Sequence, residues 1–252
     1  MNYSCGYWKN AGNLAEAQRD KMELVGRKLK LEKGMRVLDI GCGWGGLCKY
    51  LAETYQVSVV GVTVAEEGAK IARERCSDLP VEIRVQDYRS VTNEKFDRVV
   101  SIGMFEHVGK RNYRTFMEVV DRCLVNDGIF LLHTIGRGHD NASRADPFIT
   151  KYIFPNGMIP FDSEIPMAIR DIFSIEDWHN IGVHYDKTLM AWYENFVSNW
   201  DIIKDLFEEP EKFRRMWVYY LLGAAGLFRA RKLHCWQIVL TKGLPGGYDS
   251  VR

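Results

Sequence analysis

Val37-Leu38-Asp39-Ile40-Gly41-Cys42-Gly43-Trp44-Gly45-Gly46 decides how the rest of the chain is read. It begins as a short apolar run, the pattern of a buried strand. A glycine-rich turn follows, then the helical stretch Leu47–Tyr55. Glycine lets the backbone take tight or left-handed conformations and approach a ligand closely. Free N–H groups at the start of the next helix suit an anionic or polar ligand. A bare Gly-x-Gly is compatible with an ordinary turn. Strand, acidic residue, glycine cluster and helix in that order are far more specific. The segment lacks the Lys and Ser or Thr that a phosphate-cradling P-loop places after its last glycine. Its third glycine is out of register with the dinucleotide-binding fingerprint.

Outward from this turn, strand and helix patterns alternate. Upstream, Asn13–Leu29 reads as an amphipathic helix with Leu14, Ala17, Met22, Val25 and Leu29 apolar. Gly34 closes the turn before the strand Met35–Ile40. Downstream come a strand over Val57–Thr63, a helix over Ala65–Cys76 and a strand over Val81–Gln86. A strand over Phe96–Ile102, a helix over Tyr113–Leu124 and a strand over Gly128–Ile135 follow. This alternation predicts a parallel sheet covered on both faces, an α/β fold. After Gly136 the rhythm changes. Gly136–Arg170 holds Pro147, Pro155, Pro160 and Pro166 and reads as a long irregular insertion, usually a functional feature in a compact domain. Two aromatic helices follow, near Asp186–Lys204 and Pro210–Arg231, and Leu233–Lys242 is a strand expected at the sheet edge. The chain shows no repeat, low-complexity segment or linker. One domain over 1–252 is expected, with a substrate-covering insertion over 136–231.

The formal net charge of +1 gives no overall electrostatic case for nucleic-acid binding, although local basic patches stay open. A hydrophobic share of 46% supports a substantial core and argues against disorder. The N-terminus has no basic region followed by an apolar core, so it is not a signal peptide. The longest apolar run, near Val218–Phe228, is too short to span a bilayer. Six cysteines form no Cys-x-x-Cys pair, and no His stands at zinc-ligand spacing; free thiols in a reducing cytosol, without a metal site, are expected.

In an open parallel sheet, ligands bind beyond the carboxyl ends of the strands. Asp39 there either orients the glycine turn or accepts from a cationic amine; the plainer role is a turn or cap residue. Asp87, after the third strand, is either a surface carboxylate or an acceptor for an adenine amino group. At the tip of the second strand Thr63 offers one hydroxyl, while Glu66 and Glu67 suit the first turn of a helix.

The Val37–Gly46 segment resembles motif I of the S-adenosylmethionine-dependent methyltransferases. The resemblance sharpens along the chain. Tyr3-Ser4-Cys5-Gly6-Tyr7-Trp8, Gly103-Met104-Phe105-Glu106-His107-Val108-Gly109 and Leu131-Leu132-His133-Thr134-Ile135-Gly136 occur in order. Lys151-Tyr152-Ile153-Phe154-Pro155-Asn156-Gly157, Glu176-Asp177-Trp178-His179, Tyr185-Asp186, Ala191-Trp192-Tyr193 and Phe228-Arg229-Ala230-Arg231 follow. Together they resemble the cyclopropane-fatty-acyl-phospholipid synthases and, more distantly, the mycolic-acid cyclopropane synthases, from residue 3 almost to the C-terminus. That resemblance implies a Rossmann-like class I methyltransferase sheet with helices on both faces and a helical substrate-covering insertion. It implies S-adenosylmethionine contacts at Tyr3, Ser4, Asp39, Gly41, Gly43, Thr63, Asp87 and Tyr88. It also implies a bicarbonate ion held by Glu106, His133 and Tyr185 and by the backbone of Cys5 and Ile135. Three departures stand out. Ala65 and Gly68 occupy positions where the bacterial synthases have Ser and Gln, and Ala224 replaces a Cys. The additional N-terminal lipid-binding domain of those synthases is expected to be absent.

The implied reaction sets physical demands. An isolated alkene is a weak nucleophile with no proton to remove first. Attack on a sulfonium methyl leaves a carbocation on the acyl chain, and loss of a proton from the added carbon closes a three-membered ring. Alkene and methyl must be held at near-attack distance. Water must be excluded. Aromatic faces stabilise the cation by roughly 0.5–2 kcal/mol each, and a base must sit close by. Glu106 after the fourth strand and His133 at the end of the fifth point to one crevice. Alone, His133 would read as a satisfied core histidine. Phe105, Tyr152, Phe154, Trp178, Tyr185 and Trp192 are candidates to wall an acyl tunnel. Most of Trp192, Tyr193, Phe196, Trp200, Trp217, Tyr219 and Tyr220 are expected in helix core. His107 and His179 read as structural. Arg229 and Arg231 either meet lipid phosphate or pair internally.

By resemblance, then, the chain is expected to transfer a methylene group to the cis double bond of an unsaturated phospholipid. It would be cytoplasmic, touching the inner face of the membrane transiently. Methylation of another lipid or a small amine, and a non-catalytic lipid-binding scaffold, are the alternatives.

Overall fold

Period-two alternation along a strand sends Val37 and Asp39 to one side of a sheet and Leu38 and Ile40 to the other. A computed structural model describes residues 2–138 and 146–252. Residues 139–145, within the expected irregular stretch, lie outside the described residues. The elements are α1 (Leu14–Lys28), β1 (Arg36–Ile40), α2 (Gly46–Tyr55), β2 (Ser58–Thr63), α3 (Glu66–Arg75), β3 (Val81–Val85), β4 (Phe96–Ile102), α4 (Tyr113–Cys123) and β5 (Leu124–Gly136). They continue as α5 (Glu164–Ile169), β6 (Ser174–Asn180), α6 (Val183–Ser198), α7 (Trp200–Ile203), α8 (Pro210–Arg229) and β7 (His234–Thr241).

The strands order as β3-β2-β1-β4-β5-β7-β6. β1 to β5 run parallel, and β7 lies antiparallel between β5 and β6. β1 pairs with both β2 and β4, so the chain reverses its direction of travel across the sheet there and opens a crevice at the strand ends. Two sequence expectations change. The final strand is internal, not at the edge, because β6 adds outside it. The stretch from 136 to 231 is likewise more than a helical cover: it supplies β6 and the core helix α5.

Leu38, Val60, Val99, Phe130 and Leu132 pack beneath α4 and α5 through Phe116, Met117 and Ile165. Val37, Val59, Val100 and Leu131 pack beneath α1, α2 and α3 through Val25, Leu51, Ala69 and Ala72. Each such side chain stabilises the fold by about 1.5–3 kcal/mol. A third cluster joins α6 and α8 to the N-terminal segment through Cys5, Tyr7, Leu189 and Phe228, and reaches Cys235 on β7. Gly136 has no alternative: a Cβ there would stand 1.9 Å from the Trp236 ring. At the C-terminal end of α1, buried Lys28 pairs with Asp177 of β6 at 3.2 Å, and Arg252 closes on the same carboxylate. His179 Nδ1 sits 3.1 Å from the Lys28 ammonium, and burial and that charge push its pKa down to about 4. His179 is thus part of a structural network.

Candidate active site

The glycine turn leaves β1 through three left-handed residues, Gly41, Gly43 and Gly45 (φ +93°, +53° and +73°). A Cβ on Gly41 would strike Met104 at 2.8 Å and one on Gly45 would strike Ala72 at 2.9 Å, so both are fixed by packing. A Cβ on Gly43 would meet nothing within 4 Å, so this backbone faces open space. Gly68 lies so close that its Cβ would stand 3.2 Å from the Gly43 carbonyl oxygen. Asp39 is 2% exposed on the α1 side of the sheet. Burial pushes its pKa up to about 6, resisted by a 3.3 Å hydrogen bond from Cys48 Sγ and by the Lys21 ammonium.

Of the other expected cofactor contacts, Thr63 ends β2, beside β1, and Asp87 follows β3. The Thr63 hydroxyl accepts from Ala65 N at 3.2 Å. Asp87 accepts from Arg89 N and Nε and pairs with its guanidinium at 2.6 Å, which holds its pKa below the usual carboxylate range. Its carboxylate is therefore engaged locally. Tyr88 stands edge-on to Phe116. Tyr3 stacks on Trp192 at 5.0 Å, and its hydroxyl is 2.9 Å from that of Tyr220. Ser4 is buried, its carbonyl accepting from Gln18 Nε2 at 2.7 Å.

Glu106 reaches the tip of β5 at Ile135, two residues beyond His133. Glu106 Oε1 accepts from the Ile135 amide at 2.7 Å, while Oε2 is buried without a hydrogen-bond partner among the described residues. Burial raises the Glu106 pKa, against the pull of the Ile135 hydrogen bond. His133 is 2% exposed, with Nε2 3.2 Å from Cys235 Sγ and Nδ1 3.3 Å from Gln237 Nε2. Gln237 Oε1 is a second buried acceptor without a donor among the described residues. Tyr185 is buried against Phe228, and burial drives its pKa well up, helped by Tyr220, Cys235, Cys5 and Glu106 nearby. Cys5 is buried, its thiol directed at the Gly6 carbonyl at 3.3 Å. The Ile135 amide expected to face an anion is donated to Glu106 in this arrangement.

Not every aromatic candidate faces the crevice. Phe105 stacks on Tyr113 at 4.3 Å inside the α4 core, and Trp178 packs edge-on to Trp236 at 5.1 Å in the same core. Phe154, Tyr185 and Trp192 gather around Tyr220 and Phe228 in the third cluster, and half-exposed Tyr3 stacks on it from outside. Arg229 pairs internally with Asp186 at 2.9 Å. Sequence reading passed over Gln18, Lys21, Cys235 and Gln237, all buried at this site. A helical projection of α1 places Gln18 and Lys21 three residues apart on its inner stripe, which was the available signal.

Residues 1–238 match the family model described as mycolic acid cyclopropane synthetase. The chain belongs to that family. It is 54% identical over 252 residues to cyclopropane-fatty-acyl-phospholipid synthase of Escherichia coli, covering 100% of this chain and 65% of that protein. It thus spans just under two thirds of that relative's length. Among solved family structures, mycolic acid cyclopropane synthase CmaA1 complexed with SAH and CTAB superposes with a TM-score of 0.87 at 31% identity, covering 95% of this chain and 89% of the other. Cyclopropane synthase MmaA2 from Mycobacterium tuberculosis gives 0.88 at 29% identity with the same coverage.

Proposed function

We propose that this chain carries the catalytic machinery for methylene transfer from S-adenosylmethionine to the cis double bond of an unsaturated phospholipid acyl chain. The observation that carries the reading is the Glu106 carboxylate, fixed by the Ile135 amide through one oxygen and left with a buried, donorless second oxygen. The E. coli relative's name and the SAH in the CmaA1 complex support the same reading.

The residues present suit the cofactor. Open space beside Gly43 and an orphaned Gln18 Oε1 next to Ser4 leave room and an acceptor for a polar ligand. Tyr3, Ser4, Asp39, Gly41, Gly43, Thr63, Asp87 and Tyr88 are the residues that would hold it. Bound there, S-adenosylmethionine supplies an electrophilic methyl group on a sulfonium. Asp39 is the carboxylate available to a cationic group, and Asp87 would have to share its oxygens with Arg89.

The residues also suit a small oxyanion that carries a proton. Glu106 Oε2 needs a donor, and a buried carboxylate of raised pKa favours sharing a proton over standing beside a bare charge. Glu106, His133, Tyr185 and the backbone of Cys5 would hold bicarbonate, which would supply the base for the proton lost at ring closure, while the Ile135 amide acts through the Glu106 carboxylate it holds. The chain's own contribution is to fix that anion, keep Tyr185 protonated, and exclude water behind Phe154 and Trp192.

Contact with a lipid surface would use exposed Ile202, Leu206, Tyr219 and Leu222 on the outer helices. No helix among the described residues is long and apolar enough to cross a membrane. The test is calorimetric binding of S-adenosylhomocysteine, followed by mass spectrometry of unsaturated phospholipids after incubation with S-adenosylmethionine and bicarbonate. A gain of one CH2 with loss of the double bond is expected. Methylation of an amine with the double bond intact would overturn the reading.

A further inference from the structure

A lysine without a close partner costs several kcal/mol to bury, yet Lys21 in the middle of α1 is 1% exposed. Its ammonium acts electrostatically on groups from three separate elements: Asp39 of β1, Cys5 of the N-terminal segment and Cys235 of β7. Strand alternation explains the convergence. Asp39 shares the face of Val37, His133 that of Leu131, and Cys235 and Gln237 that of Val239, and all these apolar neighbours pack on the α1 side. One turn earlier on the same stripe, Gln18 ties down Ser4 and keeps a buried, donorless Oε1. The inner face of α1 therefore lies against the glycine turn on one side and the Cys5 and Cys235 ground beside His133 on the other, with the Lys21 ammonium acting on both.

We propose that Lys21 is a positioning residue of this site, whose ammonium keeps Asp39 ionised toward the cofactor and biases the ground beside Cys5 and His133 toward an anion. The inference rests on the cofactor assignment above. Desolvation drives the Lys21 pKa down to about 8, with Asp39 the largest influence holding it up, and Asp39 rises to about 6. Between those values both groups carry their charges. Outside them, one partner loses its charge. Cys48, which also faces Asp39, and Cys235 are held well above the usual thiol range by burial and their neighbours, so both stay protonated across that window. Cys5 and His133, the latter 3.2 Å from Cys235 Sγ, complete the titratable surroundings.

The experiment is calorimetric titration of the full chain with S-adenosylhomocysteine across the pH range, for the unmodified protein, Lys21→Met and Lys21→Arg. Methionine keeps the length and apolar stem without the charge. The unmodified protein should lose affinity below about pH 6, as Asp39 gains a proton, and above about pH 8, as Lys21 loses one. Lys21→Met should bind about tenfold or more weakly at neutral pH, with the acid limb moved upward. Lys21→Arg should keep the acid limb and lose the alkaline one, because guanidinium stays charged while Cys5 and His133 are untouched. A residue that merely packs would lower the melting temperature and move neither limb. A folded Lys21→Met with unmodified affinity and limbs overturns the proposal. If that variant does not fold, an alkaline limb that persists in Lys21→Arg overturns it. Failure of the unmodified chain to bind S-adenosylhomocysteine overturns the cofactor assignment itself, whereas binding indifferent to Lys21 overturns this inference alone.

Discussion

Glu106 Oε1 is held 2.7 Å from the Ile135 amide nitrogen, so the carboxylate that ends the β4 crossover is clamped to the tip of β5. The clamp fixes the direction of Oε2 in a buried setting where no protein donor among the described residues meets it. Glu106→Gln keeps an oxygen for the Ile135 amide and replaces Oε2 with an NH2 group that cannot exchange a proton. Turnover should fall by roughly 100-fold or more, the range of positioned acid–base groups. Affinity for S-adenosylhomocysteine should stay within about threefold, less than one pKa unit's worth of free energy. Steady-state rates and calorimetry check both; loss of binding would move Glu106 from the reaction to the cofactor.

Gly43 offers a cleaner probe of the cofactor space than its neighbours. Gly43→Ala meets no protein atom within 4 Å, so its cost to the fold is the left-handed backbone alone, roughly 1–2 kcal/mol. A methyl group in that space should weaken S-adenosylhomocysteine by far more than it lowers stability. Urea unfolding and calorimetry on the same sample give the ratio. Unchanged affinity would mean that the ligand does not use this space.

Asp39 makes the free protein sensitive to pH. Its folded pKa near 6 exceeds the ordinary 3.8, so the folded state holds the proton more tightly. Stability from this group is full below about pH 4 and is lost as pH rises through about 6, a change on the order of 3 kcal/mol for about two units. Asn mimics the protonated acid. The stability gap between Asp39→Asn and the unmodified protein should therefore widen in favour of Asn from pH 4 to pH 6 and then level off. Denaturant melts of ligand-free protein below pH 8 measure it, and a gap independent of pH contradicts the burial argument.

Asp177 anchors two cations of very different exposure, Lys28 at 0% and Arg252 at 44%. Asp177→Asn strands a buried ammonium and should cost about 3–5 kcal/mol. Arg252→Ala removes a half-exposed partner and should cost about 1 kcal/mol or less. Lys28→Met combined with Asp177→Leu should recover most of the loss. Urea unfolding of the three variants decides; equal losses at Asp177 and Arg252 would contradict the burial ranking.

What could be read from the sequence depended on how each element buries its side chains. β1, the glycine turn and the strand-end positions of Glu106 and His133 are legible because apolar alternation and strand-tip position are local signals. β6 is not: Ser174-Ile175-Glu176-Asp177-Trp178-His179-Asn180 carries polar residues on both faces, and β7 is its one strand partner. Overlooking it put β7 at the edge. Phe105 and Trp178 were misplaced for a related reason, since an aromatic residue beside a motif can turn to either face of a sheet. Lys21 is not legible from apolar periodicity, because the inner stripe of α1 mixes Ala17 and Leu24 with Gln18, Lys21 and Lys28.

The most direct test of the account uses vesicles of one monounsaturated and one fully saturated phosphatidylethanolamine, with methyl-labelled S-adenosylmethionine and bicarbonate. The account predicts that label enters only the unsaturated lipid, adding one CH2 as the double bond disappears from its fragmentation pattern, and that Glu106→Gln abolishes the signal. Label on the headgroup amine of both lipids, with every double bond intact, would contradict it.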